Sequence, residues 1–72
     1  MNIIIIGCGK VGATLAEQLS AENHNIVIVD TDESKLEAVS STYDVMTLTG
    51  NGASFNVQQE AGIKNADLLI AV

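Results

Sequence analysis

Three glycines, Gly7, Gly9 and Gly12, follow the apolar run Ile3-Ile4-Ile5-Ile6, and one carboxylate, Asp30, closes a second apolar run further on. The spacing G-x-G-x-x-G makes a phosphate turn when a strand leads into it and a helix leads out. In that setting Gly7 turns the chain sharply out of the strand. Gly9, without a side chain, lets a pyrophosphate approach the backbone, and Gly12 lets the helix lie close to the strand. The free N–H groups and the positive dipole end of the helix then face the phosphates. An acid at the end of the following strand can accept hydrogen bonds from both ribose hydroxyls of an adenosine. It would repel a 2′-phosphate, and the chain has no arginine to neutralise one. The pair therefore favours NAD-type or adenine nucleotides over NADP. Neither signal is specific alone: glycine turns occur in parallel sheets that bind nothing there, and a lone aspartate is often a helix cap. Their common register is what carries the reading.

The elements needed to place these residues can be read from the periodicity. Residues 2–6 and the run Ile26-Val27-Ile28-Val29 are continuous and β-branched, as in strands buried on both faces of a parallel sheet. Between them Val11, Leu15 and Leu19, with Ala16 beside them, form one helical face, with Glu17, Gln18 and Glu22 turned away. Asn23-His24-Asn25 ends that helix. Thr31 or Asp32 can cap a second helix, whose first turn is acidic and whose inner face carries Leu36, Val39 and Tyr43. Val45 to Leu48 or Thr49 reads as a third strand. Gly50-Asn51-Gly52 is a tight loop, Ser54 to Glu60 a weaker helix ended by Ala61-Gly62, and Leu68 to Val72 a fourth apolar run. The order β-α-β-α-β-α-β calls for parallel strands joined by right-handed crossovers. The expected fold is α/β, a Rossmann-like parallel sheet of order 3-2-1-4 with crossover helices. With no helix to cover the last strand, residues 1–72 are expected to be the N-terminal part of a larger nucleotide-binding domain.

Composition narrows the partners. The chain has 72 residues, 47% of them hydrophobic and 17% charged, with no proline and only Tyr43 and Phe55 as aromatics. This describes one small globular unit with an aliphatic core. The net charge of -6 leaves no cluster of lysine or arginine for a nucleic-acid backbone or an anionic lipid surface. No stretch approaches the roughly 20 apolar residues of a membrane span. The run before Gly7-Cys8 is also too short for a signal peptide or a lipoprotein signal. A single cysteine excludes a disulfide framework and suits a reducing cytoplasm.

Few other residues offer chemistry. Lys10 lies within the turn and could contact a phosphate or a partner, or simply be solvated. Cys8 stands at a helix start, where the dipole can lower a thiol pKa; the plainer reading is a small residue in a tight turn. His24 has no second ligand at metal spacing and reads as a solvated loop residue. Asp44 and Asp67 flank strands and helices, Ser54 reads as a cap, and no catalytic triad or Cys–His pair can be assembled.

The stretch IIIIGCGKVGATLAEQLSAENHNIVIVDTDESKLEAV, the loop TGNGAS and the segment EAGIKNADLLIAV together resemble the N-terminal RCK or KTN nucleotide-binding domain of Trk-type potassium-uptake regulators, the TrkA family. The resemblance covers essentially the whole chain, and EAGIKNADLLIAV discriminates better than the glycine turn. It implies a regulatory subunit, not an enzyme, that binds NAD(H), or ATP or ADP in related branches. It also implies docking on a membrane potassium transporter, a cytoplasmic location peripheral to the inner membrane, and self-association as dimers or larger rings. By position Gly7, Gly9 and Gly12 would hold the pyrophosphate, with Cys8, Lys10 and Val11 in the same turn, and Asp30 would hold the adenosine ribose, with Thr31 beside it in the cofactor site. Gly50-Asn51-Gly52 would lie beside the adenine, and Ala71-Val72 would approach the phosphates. Many relatives have Gly-Asp where this chain has Gly50-Asn51, which removes a charge near the adenine. The alternative function is the cofactor half of an NAD-dependent dehydrogenase, whose catalytic residues would lie elsewhere.

Overall fold

A computed structural model describes all residues from Met1 to Val72. The strands β1 (Asn2–Ile6), β2 (Asn25–Asp30), β3 (Met46–Thr49) and β4 (Leu68–Ala71) alternate with the helices α1 (Lys10–Ser20), α2 (Glu33–Ser40) and α3 (Phe55–Ala61). All pairings are parallel, in the order β3-β2-β1-β4, as the sequence predicts. Asn2 stands opposite Asn25 and Ile6 opposite Val29, so β1 and β2 end level with each other.

The isoleucine run is continuous because both faces of the central strands are covered. Side chains alternate across a strand. Ile3, Ile5, Ile26 and Ile28 accordingly point to one face, where they pack with Ala16 of α1 and with Leu36 and Val39 of α2. Ile4 and Val29 point to the other, against Ala61 of α3, with Ile6, Val27, Leu48 and Val57 around them. Ile5, Ile28 and Val29 are fully buried. Each such side chain contributes roughly 1.5–3 kcal/mol relative to its exposed state. This two-sided packing fixes the C-terminal ends of β1 and β2, where the candidate residues lie.

The helix boundaries follow local chemistry. Asp32 caps α2 by accepting from the Ser34 backbone N–H at 3.0 Å. Gly62, at φ +89, ends α3 in the left-handed conformation that glycine adopts freely. A single 3₁₀ turn, Ile63–Asn65, not foreseen in the sequence, then leads toward β4. Asp67 fixes the start of that strand by accepting from the Asn2 backbone N–H at 2.7 Å.

Several expectations need correction. Val11 is not on the inner face of α1: it is 62% exposed, while Gly12, Ala16, Leu15 and Leu19 turn to the sheet. Successive helix residues differ by about 100°, so Val11 lies on the flank of that stripe. Tyr43 packs against the core from the turn beyond α2 rather than from the helix. β3 begins at Met46, one residue past Val45, because Val27 pairs with Met46. Ser54 occupies the N-cap position of α3 without a side-chain bond; its carbonyl accepts from Gln58 instead. His24 is half-buried, with Nδ1 3.1 Å from the Met1 amino group and Nε2 3.4 Å from the Glu22 carboxylate. Asn23, at φ +63, turns the chain there, and Asn25 donates to the Met1 carbonyl, which brings His24 back onto the start of β1.

Candidate nucleotide site

The three glycines of the turn have three different surroundings. Gly7 has φ +110, and a Cβ there would stand 2.7 Å from the Val72 carbonyl oxygen. A Cβ on Gly12 would overlap the Gly7 carbonyl oxygen, so α1 reaches the strand end only because residue 12 has no side chain. A Cβ on Gly9 would meet no protein atom within 4 Å. The space over Gly9 is therefore open to an incoming group. The first helical bond runs from the Ala13 N–H to the Gly9 carbonyl, and the N–H groups of Gly9, Lys10, Val11 and Gly12 have no protein acceptor. This is the unpaired start of a helix, with four donors and a positive dipole end in one turn.

The end of β2 holds that turn in place. The Gly7 N–H donates to the Val29 carbonyl at 2.7 Å, and the Cys8 N–H donates to Asp30 Oδ2 at 2.6 Å. Asp30 Oδ1 accepts from the Asp32 N–H at 2.8 Å, and the Asp30 carbonyl accepts from the Gly50 N–H at 2.9 Å. One residue thus ties the glycine turn, the start of α2 and the loop after β3. The Asp32 N–H, followed by that of Cys8, holds the Asp30 carboxyl below the usual carboxylate range, and the Lys35 charge adds to this. A carboxylate offers about four lone-pair positions. With one backbone donor on each oxygen, Asp30 keeps acceptor capacity on both.

Cys8 behaves as the plainer reading has it. It is 4% exposed, packs in the core, and its Sγ lies 3.6 Å from the Lys35 carbonyl. Burial, then the Asp30 charge, pushes its pKa up, which overrules activation by the helix start. Its contribution to the turn is the backbone N–H given to Asp30.

Gly7, Asp30, Thr31, Gly50 and Gly52 come together with Ile6 and Val29 around a cleft of about 180 Å³. Both loop glycines are there for close packing as well: a Cβ on Gly52 would overlap the Ile6 side chain, and one on Gly50 would stand 2.9 Å from a Val57 methyl. Asn51 lies outside the cleft wall; its Oδ1 accepts from the Ala53 N–H at 2.9 Å and shapes the turn. Lys10 and Val11 are exposed on the first turn of α1. Ala71 and Val72 stand on the other side of β1, exposed, with the Val72 N–H on the Ile6 carbonyl at 3.0 Å. They flank the point where strand order reverses, which in open α/β sheets is where ligands sit. A larger hollow of about 260 Å³ lies at the opposite end of the strands, beneath Ala61, Gly62 and Asn65. It is lined without any charged group and offers a nucleotide nothing comparable. Sequence reasoning passed over Lys35, whose place beside Asp30 depends on the packing of α2.

A parallel 3-2-1-4 sheet with a glycine turn and a strand-end acid at its C-terminal edge defines a Rossmann-type nucleotide-binding module. Residues 3–72 match the TrkA-N domain family, and the chain belongs to that family. It is 46% identical over 72 residues to the Trk system potassium uptake protein TrkA of Halomonas elongata, and 43% to a TrkA homolog of Archaeoglobus fulgidus. The match takes in the whole chain and 16% of the length of each of these relatives. Among solved structures it is similar to the Kef CTD of Shewanella denitrificans in its AMP-bound form, with a TM-score of 0.81 and 28% identity. That match covers 96% of this chain and 40% of the other.

Proposed function

We propose that this chain is the nucleotide-sensing part of a regulatory, non-enzymatic subunit of a potassium uptake system. It binds an adenine nucleotide, NAD(H) first and ATP or ADP next, and biases the gate of a membrane transporter. The observation that carries this reading is the ionised Asp30 carboxylate held by the same turn that presents four unpaired N–H groups. In this reading Asp30 and Thr31 meet the ribose and the Gly9–Gly12 donors meet the phosphates. Gly50 and Gly52 form the wall on the base side, while Ala71 and Val72 border the phosphates from β4. The AMP-bound Kef relative supports an adenine nucleotide, and the TrkA relatives support a potassium transporter as partner. The subunit acts as a dimer or larger assembly at the cytoplasmic face of the membrane, held there by its transporter. No helix of this chain is long and apolar enough to cross a membrane.

Calorimetric titration of the full-length protein with NADH, NAD, NADPH, ATP, ADP and AMP tests the site. Saturable binding that Asp30→Ala weakens by more than about tenfold, or ~1.4 kcal/mol, is the expected result. NADPH should bind more weakly than NADH. No binding by any of the six sinks the proposal.

A further inference from the structure

Two ribose hydroxyls can be held by one carboxylate only if its plane is fixed, because rotation about the last carboxylate torsion is soft. Two backbone donors fix the plane of Asp30. One, the Cys8 N–H, belongs to a turn already tied to β2 through Gly7 and Val29. The other, the Asp32 N–H, belongs to an exposed connection and needs its own restraint. Asp32 Oδ1 provides it by accepting from the Ser34 N–H at 3.0 Å and from Ser34 Oγ at 2.6 Å. The restraint therefore runs from Ser34 to the Asp32 side chain, through the Asp32 backbone, to Asp30 Oδ1. The Asp32 N–H is also the strongest influence lowering the Asp30 pKa.

We propose that Asp32 is a positioning residue for ribose recognition, its side chain locking the N–H that orients the Asp30 carboxylate. The inference rests on the nucleotide-site reading above and adds a residue and a moiety to it. The cap is not there only to stabilise α2; it selects nucleotides that carry both ribose hydroxyls.

The test pairs Asp32→Ala in the full-length protein with AMP and 2′,3′-dideoxy-AMP, read by calorimetry. Asp32→Ala should weaken AMP about tenfold, the scale of a hydrogen bond to a charged group, and weaken the dideoxy analogue less than about twofold. Asp32→Asn, which caps a helix as well as aspartate does, should restore AMP binding. Asp32→Gly, tolerated at this position at little cost in stability, should repeat the alanine pattern if the alanine protein does not fold. Equal weakening of both ligands would reduce Asp32 to a structural cap and overturn the inference, as would no weakening at all. A wild-type protein that binds AMP and the dideoxy analogue equally would also overturn it, with nucleotide sensing left standing. If the wild-type protein binds none of the nucleotides, the site reading itself fails.

Discussion

At the scale of single residues, the glycine turn divides its tasks so that stability and binding can be separated. Gly12→Ala drives a Cβ into the carbonyl of Gly7, a residue whose N–H is tied to the Val29 carbonyl of β2. Overpacking of this kind costs about 1–3 kcal/mol, and the Gly12→Ala protein should show it as a lowered denaturation midpoint. Gly9→Ala meets nothing, and at φ -81 and ψ -163 its backbone suits any residue. It should fold with a nearly unchanged midpoint, yet lose at least about tenfold in nucleotide affinity, because the new methyl stands where a phosphate must approach. If calorimetry finds Gly9→Ala binding normally, the phosphates do not lie over Gly9. Asp30 gives a pH prediction. Its folded pKa is lowered by the Asp32 and Cys8 N–H groups and the Lys35 charge. The stability it contributes is therefore complete above the ordinary aspartate value of about 4 and is lost as pH falls through the lower folded value. Denaturation midpoints of wild type and Asp30→Asn should differ at pH 7 and converge below about pH 4. A constant difference across that window would show that the charge on Asp30 is not what braces the turn.

At the scale of elements, what was legible in the sequence is what local pattern determines. The central strands were plain because burial on two faces leaves an unbroken β-branched run, and their parallel direction followed from helix-length crossovers. Gly7, Asp30, Thr31, Gly50 and Gly52 come together around one cleft because each sits at the C-terminal end of a strand or just beyond it. Val11 was misplaced because periodicity locates an apolar stripe without saying which flank faces the sheet. The bonds from Cys8 and Asp32 to Asp30 had no sequence signal of their own, since a backbone N–H is the same at every residue but proline. Asn51 had a turn-shaping role that the sequence suggests only through asparagine's general preference for bonding its own backbone, here to the Ala53 N–H. Gly62 was legible as a helix end, and its conformation gives the prediction for this scale. A Cβ there meets no atom within 4 Å, so only the left-handed φ opposes substitution. Gly62→Ala should cost about 1 kcal/mol and Gly62→Asn less, because asparagine tolerates that region. Thermal unfolding of the full-length proteins checks the ranking; equal costs would point to a packing role instead.

At the scale of the whole molecule, the fold explains how occupancy could be transmitted. Asp30 touches three connections at once, so a ligand held by it bears on the turn before α1, the start of α2 and the loop after β3 together. A ligand shifts an assembly only as far as its affinity differs between the alternative arrangements, and such couplings typically amount to about 5–150-fold. Leu68 and Leu69 on the outer strand are each 42% exposed, and the proposed assembly is tested in the full-length protein. There, capture by the transporter subunit should change at least about fivefold between nucleotide-free and NADH- or ATP-saturated conditions. The same ligands should shift the self-association equilibrium seen by light scattering, because in the proposed function they bias the arrangement of the assembly. Asp30→Ala should make both measurements indifferent to nucleotide. Transporter capture that ignores nucleotide in the wild-type protein, despite measurable binding, would mean that the site is occupied without being read, and the regulatory half of the proposal would fall while the binding half stood.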